Sequence, residues 1–256
     1  MRIKLFNRYE IKYILTRKQH DLFAEILRDY LSPDLRGDDY GRYSITSLYY
    51  DSEDYKAYWN KIEGHKFRRK VRTRIYGYPQ VTSDTMCFAE IKQRINKTLQ
   101  KKRVYIPYAS AESLCGFGDP IPEEEGMSDT DKETVSEIRY LQMMLGLQPS
   151  CIVSYDRMAF DGNEYDDGLR ITLDTNLRGR THDLDLRSMG ITENQFFIPP
   201  EWAVMEVKVN YRVPYWLTEV IGKYRFTMRR VSKYCAALEQ SKALLQTQRI
   251  NYWGIE

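Results

Sequence analysis

Cysteine is scarce: Cys87, Cys115, Cys151 and Cys235 lie too far apart for a CxxC metal or redox motif. No secretory leader is recognised, so a reduced, cytoplasmic setting is expected. The three histidines, His20, His65 and His182, lack ligand spacing, and there is neither a GxxxxGK(S/T) phosphate loop nor a serine-centred elbow. Histidine-based metal chemistry, P-loop nucleotide binding and serine hydrolysis are thereby disfavoured. No apolar run approaches the roughly 18 residues that a membrane helix needs, so any membrane association is expected through a separate partner.

What is present is charge, unevenly distributed. The net charge of the 256 residues is only +3, but thirteen Lys or Arg face three acids between Lys61 and Arg103. From Ser110 to Glu133 the balance reverses to eight acids against Lys132. This asymmetry predicts an anion-binding surface and a separate, solvated, loop-rich acidic insertion at about 109–133. With 42% hydrophobic residues and 21 tyrosines, the chain can bury a real core in one β-rich domain spanning 1–256.

The most informative stretch is FRRKVRTRIYG, Phe67 to Gly77. At a strand's period of two, Arg68, Lys70, Arg72 and Arg74 share one face and Phe67, Val71, Thr73 and Ile75 the other. Like charges so crowded face either water or something strongly anionic. Other segments repeat the pattern. FNRYEIKYIL sets Arg8, Glu10 and Lys12 against Tyr9, Ile11 and Tyr13; CFAEIKQ aligns Phe88, Glu90 and Lys92; KKRVYIPY aligns Lys101, Arg103 and Tyr105. Later strands align Val153, Tyr155 and Arg157, then Arg170, Thr172 and Asp174, then Glu206 and Lys208. Helices are expected after Thr16, from Asp51-Ser52-Glu53 to about Glu63, from about Thr134 to Leu145, and twice after Pro214. The last would run from Ser232 to about Gln248 with Arg230 and Lys233 on one side.

Each strand alone reads as an ordinary sheet with a solvated face. Repeated along the chain, the cationic faces predict an α+β fold: a closed antiparallel β-barrel with a charged lumen and flanking helices. Such a lumen suits a polyanion of spaced charges, a phosphate chain, with Arg binding oxygens in bidentate fashion. Carboxylates at Glu10, Glu90, Glu206 or Asp174 would hold Mg or Mn, or else form ion pairs within the barrel. Single-stranded nucleic acid is disfavoured, because the aromatics are expected mainly on the opposite strand face.

The stretches RYEIKY, SLYYDSEDY, RTRIYG, FAEIK, YDR, LRITLDTNL, VMEVKV and RRVSKY occur in order from about Arg8 to Tyr234. Together they resemble the VTC domain, the polyphosphate polymerase module of the vacuolar transporter chaperone complex, in the triphosphate tunnel superfamily that also holds the CYTH enzymes. CYTH members typically begin ExExK; Arg8-Tyr9-Glu10-Ile11-Lys12 has Arg in place of the first Glu, which fits the VTC branch better. The resemblance implies a closed tunnel binding a nucleoside triphosphate and a growing chain. By position it implies tunnel cations at Lys12, Arg72, Arg74, Lys92, Arg157, Arg170, Arg230 and Lys233, with Lys61 and Arg103 as further basic positions and Glu206 as the metal-bound carboxylate.

The activity implied is transfer of the γ-phosphoryl of ATP to inorganic polyphosphate or triphosphate with Mn or Mg. Arg72, Arg74, Lys92, Arg157 and Arg170 would be catalytic; Lys12, Lys61, Arg103, Lys208, Arg230 and Lys233 would bind substrate; Glu206, Glu10 and Glu90 would hold the metal. Two alternatives stay open: a tripolyphosphatase or nucleoside triphosphatase in which Glu10 or Glu90 positions water, and a non-catalytic polyphosphate-binding module. Eukaryotic complexes attach an SPX domain and membrane helices to this module; neither is recognised here, so product translocation is expected to fall to a partner.

Overall fold

A computed structural model describes residues 9–77, 80–96, 98–166, 168–188, 195–210, 212–241 and 244. In chain order these form β1 (Tyr9–Thr16), α1 (Arg17–Tyr30), β2 (Ser32–Pro33), β3 (Arg42–Asp51), α2 (Lys56–Ile62), β4 (Phe67–Tyr76), β5 (Met86–Ile95) and β6 (Thr98–Pro107). Then follow α3 (Tyr108–Phe117), α4 (Asp129–Leu145), β7 (Gln148–Asp161), β8 (Arg170–Arg180), β9 (Gln195–Phe196), β10 (Trp202–Val209), α5 (Tyr215–Lys223), β11 (Thr227–Met228) and α6 (Lys233–Ser241). Arg8, Tyr78-Pro79 and Gln248 lie outside the described residues.

The strands form an antiparallel sheet, hydrogen-bonded in the order β11-β1-β10-β8-β7-β3-β4-β5-β6, with helices flanking it. That order has two ends. The expected closed barrel is therefore not found among the described residues: two-residue β11 pairs with β1, β6 pairs with β5, and no described pairing joins the ends. Closure requires every strand to bond along both edges.

The chain divides into two compact units, residues 1–44, 155–177 and 198–232, and residues 45–154, 178–197 and 233–256. In the first, Thr16 opens α1 as expected: its hydroxyl accepts the Gln19 N–H while Gln19 reaches back to the Thr16 N–H at 2.9 Å. Phe23, Ala24 and Leu27 recur at helical spacing and are buried with Leu15, Phe160, Ile171, Leu173, Met205 and Val207. Alternation turns the neighbours of these strand residues, Lys12, Thr172, Glu206 and Lys208, to the other face. Register sets Lys12 opposite Glu206 and Glu10 opposite Lys208.

In the second unit β3, β4, β5 and β6 form a meander. Leu48, Tyr50, Val71, Ile75, Ala89, Ile91, Val104 and Ile106 make its apolar face, packed with residues of α3 and α4 including Tyr108, Leu114, Val135 and Ile138. The solvated, loop-rich insertion expected at about 109–133 is in its first part the helix α3, because Tyr108, Ala111, Leu114 and Cys115 recur at helical spacing and are buried. Acid content outweighed that short apolar stripe in the sequence. Helix α4 likewise starts earlier than expected, capped by Ser128, and ends as expected at Gly146 with φ 57°. Helix α6 begins at Lys233, so Arg230 precedes it and does not share a helical side with Lys233. Asp51 and Ser52 act from outside α2: Asp51 accepts the N–H groups of Ala57 and Tyr58, and Ser52 Oγ that of Lys56.

Candidate functional site

The polar face of the second unit is ordered by register. Tyr49, Arg72, Glu90 and Arg103 lie directly across β3, β4, β5 and β6; one step along, Ser47, Arg74, Phe88 and Tyr105 do the same; and on β4, β5 and β6, Lys70, Lys92 and Lys101 are opposite one another. Like charges directly opposite in a sheet destabilise it. Here Glu90 Oε1 lies 3.6 Å from Lys101 Nζ and the Tyr234 ring lies against Lys70, and a bound anion would offset the repulsion further.

Within this face Arg72 is held on both sides. Its Nε and Nη2 donate to Glu90 Oε2 at 2.8 and 2.6 Å, and its Nη1 donates to Tyr49 OH at 3.0 Å. Both side chains are buried. Burial alone would push the Glu90 carboxyl up, but Arg72, Arg74 and Lys101 overcome it and hold it at about 2. Arg74 Nε donates to Ser47 Oγ at 3.0 Å. Lys70 Nζ sits 4.5 Å from the ring centroid of Tyr234, which α6 brings against the 4.9 Å-distant ring of Tyr49. The Tyr234 hydroxyl donates to buried Asp51 at 2.6 Å, locking α6 to the end of β3. Lys233 is buried beside it at the helix start. Lys92 is half-buried, Arg103 is exposed above the Phe88 ring, and Lys61 is half-buried in the last turn of α2.

Tyr49 was not singled out in the sequence, although it lies within SLYYDSEDY. Burial pushes its hydroxyl up, yet Arg72, Arg74 and Lys70 bring it down to about 8 from the ordinary 10. An acid so depressed ionises earlier in the folded chain, so the folded state gains stability as pH rises from about 8 to about 10. We expect a tyrosinate ultraviolet transition near pH 8 that Tyr49→Phe abolishes. The stability difference between the two proteins should widen by about 2 to 3 kcal/mol over that interval; a pH-independent difference would refute it.

The first unit carries a second set of charges. Lys12 Nζ lies 3.2 Å from Glu10 Oε1 and 3.0 Å from Glu206 Oε1, and donates to Val231 O at 3.1 Å. Lys208 Nζ is 3.6 Å from the other Glu206 oxygen. Arg157 grips Asp174 with two parallel bonds of 2.7 and 2.8 Å, while Arg170 Nη1 donates to Asp161 at 2.6 Å and its Nη2 bonds Asp34 and, at 3.2 Å, Tyr43 OH. Burial would raise the Asp34 carboxyl, but bonds from Arg170 and others hold it at about 2. Asp34 and Asp161 were missed in the sequence, because one follows a proline after the helix and the other ends a strand, where neither falls into a polar period. Arg230 is exposed.

Of the carboxylates named as metal ligands, Glu10 and Glu206 fit the task. Both offer an oxygen to one ammonium, and two hard oxygen donors supplemented by phosphate oxygens and water are a usual Mg or Mn environment. Glu90 gives Oε2 to Arg72, and its Oε1 lies 3.6 Å from Lys101 Nζ. Among the described residues no three His, Cys, Asp or Glu side chains gather as a metal cage, and no helix is long and apolar enough to cross a membrane.

One expectation is overturned. Aromatics are not confined to the opposite strand face: Tyr49, Phe88 and Tyr105 stand in register with the cations, and Arg74 lies 5.9 Å from the centroid of the Tyr76 ring. Alternation within CFAEIKQ and KKRVYIPY already places Phe88 and Tyr105 on the charged face; strand pairing adds Tyr49 and aligns the rings with the cations row by row.

A model of the VTC domain matches residues 7–242. Subunit 4 of the vacuolar transporter chaperone complex of Trypanosoma brucei brucei is 27% identical over 223 residues, covering 74% of this chain and 27% of that one. The chain thus spans about a quarter of the length of this curated relative. Among solved structures, a Bacillus halodurans protein described as a candidate adenylate cyclase is 10% identical, with TM-score 0.49, covering 88% of this chain and 95% of its own. A Hippeastrum protein, described as a candidate adenylyl cyclase with dominant triphosphatase activity, is 13% identical with TM-score 0.46, covering 94% and 99%. Likenesses of that size do not by themselves fix a fold.

Proposed function

This chain belongs to the VTC-domain family, and from that premise we propose that it is an ATP-dependent polyphosphate polymerase, moving the γ-phosphoryl of ATP onto an inorganic polyphosphate chain. The observation that carries the reading is the cationic face of β4, β5 and β6, where Lys70, Lys92 and Lys101 form one row and Arg72 and Arg103 the next. Successive rows lie about 7 Å apart, so a phosphate chain running along the strands passes one row of cations after another.

Phosphoryl transfer asks little covalent work of a protein; it asks for in-line positioning and for neutral surroundings where charge spreads over the equatorial oxygens. In this reading Arg72 and Arg74 hold the triphosphate, presented at fixed angles by Glu90, Tyr49 and Ser47. Lys92, Lys61, Arg103 and Lys233 carry the rest of the chain's charge. Arg157 and Arg170 would clamp the transferred group, and Lys12, Lys208 and Arg230 would hold further oxygens. Glu10 and Glu206 would hold a Mn or Mg ion, which would supply neutralising charge for the phosphate oxygens. The acceptor is already an anionic oxygen, so no general base is needed, consistent with the scarcity of histidine.

The purified protein incubated with ATP and Mn or Mg should release ADP and form chains resolved as a ladder on a gel. Phosphate release without chains would assign a triphosphatase instead. Polyphosphate binding that weakens steeply with salt, survives Glu206→Gln and is accompanied by no turnover would assign a binding module.

A further inference from the structure

Beyond the cations, the face of the β4–β5–β6 meander ends in rings. Phe88 and Tyr105 are opposite one another with centroids 4.7 Å apart and planes tilted by 38°, and Tyr76 meets Phe88 edge-on at 5.9 Å. The Arg103 guanidinium carbon lies 4.5 Å from the Phe88 ring centroid. Tyr105 is 55% exposed and Phe88 half-buried. The opposite face of the same strands holds the aliphatic core, so these rings are not needed to fill it. They form instead an open shelf bordered by guanidinium groups.

We infer that this shelf, Phe88 and Tyr105, is the stacking subsite for the nucleobase of the nucleoside triphosphate. The inference rests on the reading that the adjoining rows bind its phosphates. Along β6, Tyr105, Arg103 and Lys101 follow at alternate positions, so the shelf, the first guanidinium row and the lysine row succeed one another at intervals of about 7 Å. A nucleotide has the same sequence of parts: a flat π-face, a sugar, then a run of negative charges. Aromatic rings beside a cationic track take bases by stacking, and Arg adds a cation–π contact from the side. The arrangement gives the ligand a direction, base at the Tyr105 end and terminal phosphate toward Lys70, Lys92 and Lys101. Inorganic triphosphate, which has no ring, would use the cation rows alone.

The test measures binding of ATP and of inorganic tripolyphosphate to the whole chain by calorimetry, for the natural protein, Tyr105→Ala and Tyr105→Phe. Tyr105→Ala should weaken ATP roughly five- to a hundred-fold, the worth of one base stack, while tripolyphosphate changes less than about twofold. Tyr105→Phe keeps the ring and should bind ATP like the natural protein. Equal ATP affinity in all three proteins overturns the shelf, as does an equal loss for both ligands in Tyr105→Ala. Failure of the natural protein to bind either ligand overturns the phosphate reading itself.

Discussion

Asp174→Ala should destabilise the chain by about 3 to 5 kcal/mol, the cost of stripping one partner from a buried ion pair. Asp174 is fully buried, and the side chain of Arg157 is 9% exposed. Burial alone would draw a proton off the Arg157 guanidinium, yet Asp174 and other nearby groups hold it well above its ordinary value. Without Asp174 that cation stays in a dry site with Glu206 at 3.9 Å as a distant partner. The midpoint of denaturant unfolding reports the loss, and a change below about 1 kcal/mol would show that the pair carries no such energy. Arg157→Met combined with Asp174→Leu should recover most of the stability, because similar volume replaces the pair without a desolvation cost. The double variant then isolates the functional role of Arg157. Lost chain synthesis in a stable protein assigns Arg157 to the phosphate, whereas retained synthesis assigns it to the fold.

Arg72→Ala should lower kcat/KM for chain formation between about a hundred- and a thousand-fold, the loss typical when a preorganised donor to developing charge is removed. The single variant also leaves Glu90 buried without its guanidinium, so Arg72→Ala with Glu90→Gln is the measurement that separates function from folding. Arg72→Lys should recover little. A lysine brings a point charge on one nitrogen and lacks the planar fork by which Arg72 reaches Glu90 through Nε and Nη2 and the Tyr49 hydroxyl through Nη1. A folded double variant that binds tripolyphosphate and elongates chains normally would remove this face from the site.

The sequence alone determined a good deal. Period-two alternation identified the strands, since a sheet with one apolar face must alternate, and FRRKVRTRIYG showed its four cations without any partner strand. Capping chemistry placed the start of α1 at Thr16 and the end of α4 at Gly146, because those signals are local. The order of short motifs indicated the VTC family, which the match over residues 7–242 supports.

Only tertiary structure decided which side chains meet. Register across β3 to β6 set Tyr49, Arg72, Glu90 and Arg103 in one row and Lys70, Lys92 and Lys101 in another. It also committed Glu90 to Arg72 while Glu10 and Glu206 shared Lys12. Helix α3 was hidden by acidic neighbours because its apolar stripe is short and its stability comes from packing rather than propensity. The reason is the same throughout. Periodicity and caps are written within one segment, whereas an ion pair, a lysine row or an aromatic shelf exists only once segments far apart in the chain are aligned residue by residue.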